Sequence, residues 1–118
     1  MRYADGFVIA VPKKNIAAYR RISQKAGKIW KQHGALEYCE CLGDDLKVKM
    51  GVAFPKLAKA KAGETVVFSW IVYKSKSHRN AVNKKVMSDP RIQKMVTEPM
   101  VFDYKRMAYG GFKVIVDV

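Results

Sequence analysis

The order of apolar segments in this chain predicts an α+β domain in which two β-α-β units follow one another. Three observations carry this expectation. Strand-like sequence at 3–11 leads into a long helix-periodic stretch that ends at Gly34. A β-branched and aromatic run at 64–73 leads into a second helical stretch with capping residues before it. A closing run at 106–117 returns to strand character.

In the first strand, alternation places Tyr3, Asp5, Phe7 and Ile9 on one face and Ala4, Gly6, Val8 and Ala10 on the other. The small side suits close packing of helices; the bulky, acid-bearing side suits a cavity or an interface. Pro12 ends the strand. The first helix spans about 13–33: Ile16, Tyr19, Ile22, Ala26, Ile29 and Trp30 recur at helical spacing, and Gly34 takes the left-handed stop position. A second strand at 35–42 shows Leu36, Tyr38, Glu40 and Leu42 on one face and Glu37, Cys39 and Cys41 on the other. Gly43-Asp44-Asp45 reads as a turn, and Pro55 opens one short helix within 46–63.

Residues 64–73, apolar on both faces, predict a central strand. Ser75 or Ser77 caps a helix running to about Met87, and Asp89-Pro90 restarts a short one to about Val96. In the last strand, Gly110-Gly111 suggests a bulge or a close backbone approach. The whole is a single ferredoxin-like βαββαβ domain over 1–118 with a four-stranded antiparallel sheet. Helices on one side would leave the other bare, showing Tyr3, Phe7 and Trp70. Such a face is too apolar to stay wet, and pairing two sheets across a two-fold axis predicts a homodimer.

The 118 residues make one domain with 49% hydrophobic and 28% charged residues, a globular balance. No apolar run approaches the roughly 18 residues that cross a bilayer. The N-terminal segment does not read as a signal peptide, so no membrane partner and a cytoplasmic setting are expected. Cys39 and Cys41 share a strand face, where they read as buried, reduced thiols. With only His33 and His78 besides, no metal-ligand spacing occurs and no cofactor motif is present.

The net charge of +13 is unevenly spread. Residues 1–34 hold eight Lys and Arg against one acid, 35–64 five against five, and 65–118 ten against four. The excess therefore belongs to the helices.

Several segments resemble the YbaA-like family of conserved bacterial domains. They are Asp5-Gly6-Phe7-Val8, Val66-Val67-Phe68-Ser69-Trp70, Met87-Ser88-Asp89-Pro90-Arg91, and the run from Phe102 to Phe112 that contains Tyr109-Gly110-Gly111. The resemblance covers essentially the whole chain. It implies a ferredoxin-like fold of the dimeric α/β-barrel type and a bacterial cytosolic setting, and it implies no activity. Tyr104 and Val101 depart from the family pattern of glycine and proline, which bears on the last loop.

The candidate site is a cavity between the sheet and either its dimer partner or the 97–106 loop. Asp5 and Glu40 are its acids, Arg106 an anion anchor, and Phe7, Trp70 and Tyr109 its walls. A carboxylate beside apolar walls has a raised pKa and can serve as general acid or base. The structural alternative pairs Asp5 and Glu40 with Arg106 or Lys105. His33 and His78 read as capping or surface residues. Ser69 lacks a nucleophile context, and Gly110-Gly111 precedes no helix that would cradle a phosphate.

The leading expectation is a homodimer binding an unknown small molecule, with cofactor-independent catalysis as an extension. Nucleic-acid binding through Lys14, Arg21, Lys25 and Lys28, with Lys84 and Lys85, is the alternative. It rests on charge alone, since no aromatic RNA-binding pattern accompanies it. A purely structural interaction module is the third.

Overall fold

A computed structural model describes residues 1–118. Its strands β1 (Tyr3–Pro12), β2 (Glu37–Leu42), β3 (Glu64–Tyr73) and β4 (Ala108–Lys113) form one antiparallel sheet in the order β2-β3-β1-β4. Helices α1 (Ile16–Gln32), α3 (Lys76–Met87) and α4 (Pro90–Met95), with the four-residue α2 (Phe54–Leu57) before β3, complete the predicted order. This is the ferredoxin-like split β-α-β arrangement.

The third and fourth helices begin where their sequence signals. Ser75, rather than Ser77, caps α3 by accepting the His78 backbone N–H, and Asp89 caps α4 by accepting that of Arg91. Asp89 also meets His33 Nε2 at 2.8 Å and the Arg91 guanidinium at 2.8 Å, which ties the end of α1 to the start of α4. Those hydrogen bonds hold the Asp89 carboxyl well below the usual carboxylate range. The first helix starts later than expected: Lys13–Asn15 form a 3-10 turn, and no side chain caps the helix.

The closing strand is shorter than its composition suggests. Tyr104–Arg106 form a 3-10 turn capped by Asp103, and β4 ends at Lys113. Lys113 pairs with Tyr3, the first residue of β1, and only one further bond, from Val114 N–H to the Arg2 carbonyl, prolongs the ladder. Beyond that point the neighbouring strand supplies no partner. Gly110 and Gly111 pair in unbroken register with Gly6 and Asp5, so there is no bulge. The close approach is real, because a Cβ on Gly111 would strike the Tyr3 ring.

The sidedness of the sheet reverses the expectation. Tyr3, Ile9 and Val11 of β1 and Val67, Ile71 and Tyr73 of β3 are buried, and all but Tyr3 pack in clusters with Tyr19, Ile29, Val82, Val86 and Ile92 of the helices. Ala4, Gly6 and Val8 look the other way, with Phe68, Trp70 and Phe112. Tyr3 and Phe7 therefore do not belong to the bare face; Trp70 does. The helices meet the sheet through small residues of their own. Gly27 of α1 lies so close to Tyr38 that an added Cβ would sit 2.6 Å from its ring.

Gly27→Ala tests that contact. Alanine improves the helix by roughly 1 kcal/mol, but overpacking against the ring costs about 1–3 kcal/mol. A net loss on the order of 1 kcal/mol in urea unfolding is expected. A gain in stability would mean that Tyr38 moves aside freely.

The far side of the sheet is only partly covered. Ala58, following α2, packs with Ala10 and Val66 at one end. Phe68 is 42% exposed and Phe112 62%. Cys39 is half-buried and Cys41 exposed, so the thiols line an open face rather than the core.

Candidate functional site

Between the helix-facing side of the sheet and helices α1, α3 and α4 lies a cavity of about 630 Å³, lined mainly by apolar side chains. It is partly open to solvent, and one chain supplies all the residues that line it here. The 97–106 segment closes one end through Met100, Val101 and Phe102. Its volume falls in the range of small-molecule pockets, roughly 300–1,000 Å³.

Asp5 is the buried acid of this cavity. Its residue is 6% exposed, projecting from the middle of β1. Arg79 Nη1 stands 3.3 Å from Oδ1, near enough for an ion pair, yet Oδ1 and Arg79 Nε have no hydrogen-bond partner. Burial raises the Asp5 carboxyl above its ordinary pKa, opposed by the Arg79 charge and by the Asn83 amide. Tyr3 steadies the cation: its hydroxyl accepts from Arg79 Nη2 at 3.3 Å, and the guanidinium lies 5.0 Å from its ring centre. Asn83 is oriented in turn, its Oδ1 accepting from Tyr73 Oη at 3.1 Å and Trp30 Nε1 at 3.4 Å. Burial and the Asp5 charge push the Tyr73 phenol up to about 12.

Glu40 forms a second polar cluster. Tyr19 Oη donates to one carboxylate oxygen at 2.7 Å and Tyr38 Oη to the other at 2.8 Å. Burial, reinforced by the Glu40 charge, pushes both phenols well above their usual range. Glu40 is thus clamped by two hydroxyl groups rather than paired with a cation.

The structure brings Asp5, Phe7, Glu40, Trp70 and Tyr109 to the cavity. Phe7 stacks on Tyr109 with ring centres 6.1 Å apart. Trp70 borders the cavity from the sheet, while its ring lies on the opposite face against Phe68, 5.6 Å away. Arg106 does not join them. Its guanidinium grips Glu64 through two bonds of 2.8 and 2.7 Å, and also meets Asp103 and the Lys59 carbonyl. These bonds lower Glu64 to about 2, so Arg106 is a structural clasp between the last loop and β3. Lys105 pairs with neither Asp5 nor Glu40.

Arg79 and Asn83 escaped the sequence reading. A signal existed: they lie four residues apart on α3, in the stripe that carries Val82 and Val86. Polar side chains inside an apolar stripe point to a buried polar site. Tyr19 and Tyr38 read as core aromatics, although Tyr38 and Glu40 already shared a strand face. Lys14, Arg21, Lys25 and Lys28 are exposed on α1 and its leading turn, the first three on its outer side and Lys28 toward β2. No group of three His, Cys, Asp or Glu side chains converges as a metal site, and no helix is long and apolar enough to cross a membrane.

The sheet order, the helices on one face and the cavity between them define a ferredoxin-like α+β protein with a pocket against its sheet. Among solved structures this fold is shared by SnoaB, a cofactor-independent oxygenase from Streptomyces nogalater. The two are 10% identical with a TM-score of 0.60, covering 99% of this chain and 96% of that one. It is shared too by a dimeric ferredoxin-like protein from an uncultured marine organism, at 13% identity and a TM-score of 0.58 over the full length of both. In sequence, residues 2–104 match the family described as protein of unknown function DUF1428. The uncharacterized protein YbaA of Escherichia coli K12 is 48% identical over 117 residues, 99% of each chain. The chain belongs to the DUF1428 family.

Proposed function

We propose that this protein is a cytosolic homodimer that binds a small, largely apolar organic molecule in the cavity beneath its helices. The carrying observation is a buried carboxylate, Asp5, set in an apolar pocket beside a cation that does not fully satisfy it. An isolated ion pair in a packed core would be costly, because desolvation outweighs attraction unless hydrogen bonds complete the set. A polar group on a ligand completes it.

The same residues carry the parts of a cofactor-independent proton transfer. A carboxylate with a raised pKa takes a proton from a weakly acidic C–H or O–H group, and Arg79 steadies the oxyanion that forms. A cofactor-independent oxygenase among the structural neighbours is compatible with this extension and does not select a reaction. The dimer rests on the uncovered face of Phe68, Trp70 and Phe112, and is supported by the dimeric neighbour.

Fragment screening by protein-observed NMR tests the pocket. Neutral aromatic carbonyl compounds are expected to shift the amides of Phe7, Ser69 and Met107, and Asp5→Asn should change their affinity by about tenfold, the worth of a hydrogen bond to a charged group. A screen in which no fragment perturbs those amides would overturn the proposal.

A further inference from the structure

Outside the interior cavity a second concavity runs along the edge of the sheet. It is an open groove of about 840 Å³ between one flank of α1 and strand β2. Its floor is apolar, with Ile16, Leu42 and Val67, and Leu42 is 55% exposed. Arg20, Lys28 and Lys31 rim it, and none of the three takes part in an ion pair. Lys31 Nζ donates to the Leu36 carbonyl at 2.7 Å, which pins its charge at one end of the groove. The only acid in the lining is Glu40, whose two oxygens already accept the Tyr19 and Tyr38 hydroxyls.

We infer that this groove is a second binding site, distinct from the interior cavity, for an organic anion with an apolar body. The carboxylate, phosphate or sulfonate head meets a cation of the row Arg20, Lys28 and Lys31, and the apolar part covers Leu42 and Ile16. Charge complementarity selects the head: three cations without an acidic partner follow one another along α1, where one clamped carboxylate is the sole opposing charge. The exposed apolar floor selects the body. A nucleic-acid strand fits less well. It requires a longer row of cations than these three, and Lys14, Arg21 and Lys25 project from the outer side of the first helical segment and contribute nothing to the groove.

Tyr19, Ser23, Tyr38 and Glu40 line both the groove and the interior cavity. This polar cluster forms the wall between the two sites.

Amide NMR titration of the full-length protein with decanoate, below its micelle concentration, tests the groove, with decanol as the uncharged control. Decanoate should shift Gln24, Lys28 and Leu42 saturably, and decanol should bind there at least about tenfold more weakly. Arg20→Gln/Lys28→Gln should weaken decanoate about tenfold, while Lys14→Gln/Arg21→Gln, with the same loss of charge, should leave it unchanged.

Equal affinity of decanoate and decanol at the groove would overturn the inference. So would equal weakening by the two double variants, which would reveal a general field rather than a site. Shifts confined to Phe7, Ser69 and Met107 would place the ligand in the interior cavity, overturning the groove while sustaining the pocket reading. A single-stranded oligonucleotide that displaces decanoate at physiological salt would replace the inference with nucleic-acid binding.

Discussion

Arg79→Met is expected to destabilise the fold by about 3 kcal/mol near neutral pH, a shift in Tm on the order of 10 °C. Removing one partner of a buried pair leaves the other charge uncompensated, and here that charge is Asp5, 6% exposed at the centre of the sheet. The loss should shrink as pH falls. Burial raises the Asp5 carboxyl above 3.8, so the folded chain holds this proton at pH values where the unfolded chain has released it. Stability therefore declines as pH rises through that interval. Arg79 opposes the decline by favouring the charged form, and without it the interval extends further upward. Urea unfolding at pH 4 and pH 7 should show a deficit several times smaller at the lower pH. Asp5→Leu/Arg79→Met should regain most of the stability. A deficit independent of pH would mean that Arg79 contributes through packing on Tyr3, not through charge.

Phe68→Asp is expected to turn the proposed dimer into a monomer without unfolding it. Phe68 stands in the middle of the uncovered face, 42% exposed, with Trp70 and Phe54 rings beside it. Buried aromatic anchors of interfaces contribute 2 kcal/mol or more, so the dissociation constant should rise at least about 30-fold. Native mass spectrometry at micromolar concentration reads the change directly. Tyr104→Asp, at a site 55% exposed in the last loop, is the control and should leave the oligomer intact. A wild-type protein that is monomeric at those concentrations would remove the reason for covering this face.

Much of the architecture was legible because its signals are local. Alternation and β-branching mark β3, helical spacing marks α1, and Asp89-Pro90 marks α4, each through the backbone geometry its own residues prefer. The candidate site was legible in part. An acid among bulky residues on β1 pointed to Asp5, but its partner Arg79 lies on α3, and nothing near Asp5 in the chain announces it. Arg106 misled for the converse reason. Its position before the last strand suggested an anchor, while Glu64, Asp103 and the Lys59 carbonyl had already claimed all but one of its N–H donors.

By itself the sequence determined the order of strands and helices, Asp89 as the cap of α4 and which side chains share a face. Only the tertiary structure decided which face of β1 meets the helices, and with it whether Tyr3, Asp5 and Phe7 line a cavity or a partner. Alternation is symmetric: it separates two faces without saying which is inside. That choice is made by packing summed over segments far apart in the chain. Here Gly27 brings α1 close over Tyr38, while Ser23 and Ala26 leave space beside bulky strand residues that belongs to the cavity.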